Sequence, residues 1–122
     1  MDPPSPDGPR LSRLEFVPDR SRAGCRVELR LHVEPPHDEI VRAVAGWVLG
    51  HGRARRSGRT VLEVKPESSG DGFADEVNSA VWPKHPGIYW FHVQVEDRAG
   101  RRSHVFDGRM VVDPQFGAPK CS

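Results

Sequence analysis

A two-residue alternation, repeated along the chain and cut by proline and glycine, does most to limit how this sequence can fold. In residues 87–100, GIYWFHVQVEDRAG, Tyr89, Phe91, Val93 and Val95 fall on alternate positions before a turn signal. Residues 25–34 repeat the pattern: Cys25, Val27, Leu29, Leu31 and Val33 on one side, Arg26, Glu28, Arg30, His32 and Glu34 on the other. A helix would scatter these side chains around its circumference, whereas a strand gathers each set on one face. Such strands belong to a sheet with one packed side and one wet side.

The rest of the chain reads the same way. The 12 Pro and 12 Gly punctuate short segments, which suits strands joined by turns. Strands are predicted over 11–17, 25–34, 60–65, 73–82, 88–96 and 103–112, with a bulge at Asp107-Gly108. Residues 40–50, IVRAVAGWVLG, fit two periods. Ile40, Val41, Val44, Ala45, Val48 and Leu49 would share a helix face capped by Asp38 and ended by Gly50. The β-branched residues and Gly46, which costs a helix interior about 1 kcal/mol, favour a strand with Val41, Ala43, Ala45 and Trp47 inward. The expectation is an all-β, seven-stranded antiparallel sandwich over 11–113. Residues 1–10 and 114–122 read as flexible tails.

Two stretches add a resemblance. Residues 85–103, HPGIYWFHVQVEDRAGRRS, look like the sixth strand and following hairpin of bacterial immunoglobulin-like and PKD-type domains, with their Pro-Gly-x-Tyr and Asp-x-x-Gly signatures. Residues 8–33 resemble the first two strands of such domains. The resemblance implies an immunoglobulin-like sandwich and puts Tyr89 in a tyrosine corner, its hydroxyl tied to nearby backbone. Leu29, Leu31, Trp47, Tyr89, Phe91 and Val93 are then core. The inter-sheet cysteine pair of immunoglobulin domains is missing, since Phe91 stands where the second cysteine would be. The Trp-x-Phe-Gly-Asp-Gly segment of PKD domains is missing too. A shared sandwich names no function.

Motifs for chemistry are sparse. There is no G-x-S-x-G elbow, no phosphate-binding glycine loop and no zinc-spaced cysteine pair. His37-Asp38-Glu39 contains His-x-Glu, the start of a two-histidine-one-carboxylate iron site that His92 or His104 would complete. Scattered surface histidines are the commoner meaning of so short a match. Cys25 and Cys121 are the only thiols; a bond between them is disfavoured because Cys121 falls in a tail, and two free thiols suit a reducing compartment. The first residues lack a signal-peptide pattern, favouring the cytoplasm unless the chain is a fragment. No apolar run reaches membrane-spanning length.

Charge is more informative. The net formal charge is +1, yet 15 of the 18 basic residues are arginine. In an antiparallel sandwich alternate connections share an end. Connections one, three and five hold Arg20, Arg22, Arg53, Arg55, Arg56, Arg59 and Lys84 against Asp19 alone, with His51 and His85 beside them. Connections two, four and six hold six acids against Arg98, Arg101 and Arg102. A basic end attracts carboxylate or phosphate partners. The resulting expectation is a non-catalytic binding or assembly module without a cofactor, engaging another protein or an anionic ligand. Sequence-specific nucleic-acid reading is not expected, because Trp82 is the lone aromatic beside the basic loops. The other readings are a small His37/Glu39 metal enzyme and a structural spacer.

Overall fold

The computed structural model describes residues 3–50, 56–62, 68–69, 72–73, 76–114 and 121. The alternation becomes pleat. Val27, Leu29, Leu31 and Val33 are fully buried along one face of β3 (Val27–Val33). On its two sides lie β1 (Leu11–Val17) and β8 (Glu76–Val81), both antiparallel to it. The second sheet has five strands in the order β2 (Arg20–Arg22), β10 (Phe106–Asp113), β9 (Gly87–Asp97), β4 (Ile40–Gly50) and β5 (Arg56–Leu62). A two-stranded ribbon, β6 (Ser68–Ser69) with β7 (Gly72–Phe73), completes the list. Residues 40–50 are strand, and no helix occurs among the described residues, hence none long and apolar enough to cross a membrane.

The two main sheets hold eight strands rather than seven, and one pair is parallel. The additional strand lies in the first connection. Pro18 has no N–H with which to extend the β1 ladder. The chain crosses to the other sheet, where Arg20, Ser21 and Arg22 pair with Val111, Val112 and Asp113. Arg20 secures the crossing with two bonds to the Asp113 carboxylate, Nε–Oδ2 2.8 Å and Nη2–Oδ1 2.9 Å. Three residues are too few for an alternation to show.

Two local expectations change. Val41 does not face inward; it is 48% exposed. A register shift between Ile40 and Arg42 turns the pleat, so Ile40, Ala43, Ala45 and Leu49 are the buried residues of that face. Nor is there a bulge at Asp107-Gly108, for the β9–β10 register runs unbroken from Phe106 to Val112. Gly108 is instead a point of close approach between the sheets: a Cβ there would lie 2.6 Å from Leu14 Cδ2. Between the sheets Phe16 meets Phe91 with ring centroids 5.2 Å apart, and Tyr89 lies 6.3 Å from Phe91 and 5.7 Å from Trp47.

The described residues near both ends are tied to the sandwich. Residues 3–10, expected as a flexible tail, lie against the β9–β10 connection. The Ser5 N–H donates to the Arg102 carbonyl (2.9 Å), the Arg102 N–H donates to Ser5 Oγ (3.0 Å), and Pro9 is buried. Within 114–122, Cys121 forms a disulfide with Cys25, correcting the expectation of two free thiols. The missing consideration was proximity: Ala23 N–H bonds the Asp113 carbonyl, so the β2–β3 turn sits beside the chain leaving β10.

Candidate functional site

Among the described residues, connections meet at two ends of the sandwich. At one end the β3–β4 and β9–β10 connections meet. Arg98 pairs with Glu39, and the Arg98 N–H donates to the Glu39 carbonyl at 2.9 Å. Arg101 reaches Asp97, Asp38 and Asp7. Asp97 is only 2% exposed, and it takes the Arg101 backbone N–H (2.9 Å) and Nε (2.9 Å) on its two oxygens. The side-chain bond from Nε to Asp97, ahead of the attraction of the neighbouring carboxylates, raises the Arg101 guanidinium above its ordinary value. Arg98 and Arg101 are thus paired with carboxylates within the fold, while the third arginine of this connection, Arg102, donates its Nε to the Pro3 carbonyl.

At the opposite end the turn before β3 meets the β8–β9 connection, where the Gly24 N–H donates to the Pro83 carbonyl at 2.7 Å. The basic residues gather here in separate groups. Arg20 is bound to Asp113, and with Arg22 and Arg26 it lines a groove beside the disulfide. The Arg20 bond, with the charges of Arg20 and Arg22 behind it, holds the Asp113 carboxyl below its ordinary value. Arg56 and Lys84 form the second group, around His85. Arg56 Nη1 lies 2.9 Å from His85 Nε2. Because a guanidinium only donates, Nε2 is the acceptor and the ring proton sits on Nδ1. Neither Arg56 nor Lys84 has a carboxylate partner among the described residues, and both are exposed. Arg59 departs from the expected loop: residues 56–59 belong to β5, and Arg59 points outward opposite Gly46, away from this group. Arg53, Arg55 and His51 lie outside the described residues.

The second group stands at the mouth of a cleft of about 310 Å3, walled by Trp47, Trp82, Tyr89 and Phe91, with Lys84 and His85 also lining it. Three local features make it. Tyr89 Oη donates to the His85 carbonyl (2.7 Å) and accepts its N–H (3.3 Å), which pins the β8–β9 turn over the core as a tyrosine corner does. Burial, opposed by the bond to His85 and the Arg56 charge, raises the Tyr89 phenol above its ordinary value. Gly58, opposite Trp47 on β5, leaves room for the indole: a Cβ there would stand 2.4 Å from Trp47 Cζ2. Trp82 ends the β8 side and stays 58% exposed. Reading Trp47 only as core missed its second role as a cleft wall. The signal lay in the β5 glycine, which becomes visible only once the β4–β5 register is known.

The proposed metal set is not brought together. His37 Nδ1 lies 2.8 Å from the Asp38 backbone carbonyl. Glu39 pairs with Arg98, and His92 pairs with Asp107 at 2.6 Å on the outer face of the five-stranded sheet. The His104 ring lies 6.1 Å from that of Phe106 and is tilted 57° to it. Among the described residues no group of three or more His, Cys, Asp or Glu side chains is arranged to hold a metal ion.

These two packed sheets, with the chain crossing from one to the other between β1 and β2 and the tyrosine hydroxyl closing the turn before β9, form an all-β sandwich. The solved structures it is similar to include the PKD domain of a peptidase from a Thermoplasmatales archaeon. That match has 14% identity and a TM-score of 0.54 over 91% of this chain and 100% of that one. They also include a family 76 glycoside hydrolase from a bovine Bacteroides thetaiotaomicron strain, at 14% identity and a TM-score of 0.56 over 87% of this chain. The chain spans only 21% of that hydrolase's length. A superoxide reductase (neelaredoxin) from Ignicoccus hospitalis is similar at 17% identity and a TM-score of 0.49, over 87% of this chain and 80% of that one. At these identities the likeness is one of fold. No family model matches the sequence, and no curated protein does.

Proposed function

We propose that this domain is a non-catalytic binding module that takes an anionic partner at its basic end. The supporting observation is a contrast between the ends. Arg98 and Arg101 are matched by carboxylates, while Arg56, bonded to His85, and Lys84, which lines the same cleft as His85, have none among the described residues. Exposed cations without internal partners raise the encounter rate and select the sign of what docks. Arg22 lies on the same end, and Arg53 and Arg55 belong to the connection leading into β5. Likeness to a PKD domain over its full length agrees with a module rather than a self-sufficient enzyme. The Cys25–Cys121 bond suits an oxidising environment.

The test is binding to a panel of polyanions, anionic peptides and acidic lipid vesicles at low and moderate salt. Expected is salt-sensitive binding that weakens in the Arg56→Gln/Lys84→Gln double variant and persists in Arg109→Gln, an arginine elsewhere on the five-stranded sheet. Binding indifferent to the double variant would overturn the assignment of this end.

A further inference from the structure

We infer that the cleft at the basic end is a binding site for a small planar anion, an aromatic or apolar ring system carrying one carboxylate. The inference rests on reading that end as the partner-facing one, and it names what enters. At about 310 Å3 the cleft lies at the low end of the range for small-molecule sites. Its make-up has the usual division of such sites: a mostly apolar interior and a few polar groups at one side.

The walls are aromatic and fixed. Tyr89 and Phe91 form the floor from inside the core, at 5% and 3% exposure. The Trp47 indole lies over Gly58 and against Tyr89, so it is already held in the shape a ligand would meet. Trp82 is the remaining side, exposed and available for a guest to stack on. Flat aromatic surfaces on more than one side favour a flat guest, because offset and edge-to-face ring contacts add to the burial of apolar area. The floor offers little polar competition, since the Tyr89 hydroxyl is already engaged twice by His85.

The mouth supplies charge of one sign. Lys84 lines it as an ammonium without an ion-pair partner among the described residues. His85 lines it too, and the bond from Arg56 to its Nε2 leaves Nδ1–H as a second donor. Arg56 stands behind His85 with further N–H groups and a fixed positive charge. A carboxylate with a ring on the inner side satisfies both parts of the cleft at once. A neutral ring would leave the cations unused, and a small inorganic anion would leave the aromatic walls unfilled.

The probes are indole-3-acetate and its neutral isostere indole-3-acetamide, with heparin as a ringless polyanion, titrated into the oxidised chain. Binding is followed by tryptophan fluorescence and by two-dimensional NMR shifts of the Trp47, Trp82 and Lys84 amides. Expected is saturable binding of the acetate in the micromolar to millimolar range. It should be at least tenfold weaker for the amide and for Lys84→Gln, and lost in Trp82→Ala. Both positions are exposed, so the variants should keep the parent's unfolding midpoint. Equal affinity for acetate and amide would overturn the inference. So would acetate binding that leaves the cleft amides unmoved. Salt-sensitive heparin binding without acetate binding would overturn the cleft assignment and leave the basic end as a docking surface. Absence of binding by both anions would remove both readings.

Discussion

Replacing Cys121 with serine removes the covalent tie between the C-terminal segment and the start of β3. The closed loop separates its cysteines by 96 positions. In the chain-entropy account, a cross-link over about 100 residues takes roughly 4.7 kcal/mol of freedom from the unfolded ensemble. Holding the C-terminal segment in the native state offsets part of this, so a net loss of about 3 to 4 kcal/mol is expected for Cys121→Ser. That is a large share of the roughly 5 to 15 kcal/mol that holds an ordinary domain together. Cys121 is exposed, so serine there opens no cavity; Cys25 is 6% exposed, and serine there also buries a hydroxyl. Cys25→Ser should therefore be the more costly variant, by about 1 kcal/mol or more. The assay is equilibrium urea unfolding with and without reductant. With a slope of about 1 to 3 kcal/mol per molar urea, the parent's midpoint should fall by more than 1 M on reduction and coincide with that of Cys121→Ser. That variant should not respond to reductant. A parent whose midpoint is the same in both conditions would refute the reasoning, because no cross-link would then be constraining the unfolded chain.

Gly58→Val should push the Trp47 ring off Tyr89 and cost about 1 to 3 kcal/mol, visible as a lower melting temperature and altered near-ultraviolet circular dichroism. Tyr89→Phe should lose about 1 to 2 kcal/mol by removing both bonds to His85, read by urea unfolding. Tyr89 is the chain's one tyrosine, so absorbance at 295 nm should show its phenol ionising above the ordinary value of 10.0. Because the folded form holds that proton more tightly, the associated stability is complete below the unfolded value and declines as pH rises through the folded one; Tyr89→Phe should lack this decline. Asp113→Asn should free Arg20 and loosen β2 alone, seen as faster amide exchange at Ser21 and Arg22 with little change in the global midpoint.

The parts of the fold that could be read in advance are those where one face is buried along several consecutive pairs. Leu29 and Leu31 on β3, and Phe91 and Val93 on β9, lie in the sequence at the spacing that the pleat later requires. What could not be read depends on pairing between distant segments. β2 is three residues long and exists because Val111 to Asp113 lie beside it. The turn at Ile40 to Arg42 that exposes Val41 is a property of the register with β9. The Cys25–Cys121 contact follows from β10 ending next to the turn before β3. At the candidate site, the charges of Arg56, Lys84 and His85 stand out in composition, but the aromatic cleft beneath them does not. It depends on Gly58 lying opposite Trp47, and Arg59 leaves the group because β5 begins earlier than its β-branched residues suggest.

The disulfide also decides how this domain would carry tension. A pull on the two ends enters through the N-terminal segment, runs along β1 and β2 to Cys25, and passes straight to Cys121. Strands β3 to β10 lie inside the covalent loop and are bypassed. Force can therefore extend only the residues before Cys25 and the last one after Cys121, after shearing β1 from β3 and β2 from β10. Set in a longer chain, the domain would yield a short length and then stop, keeping Arg56, Lys84 and the cleft within the part that bears no load.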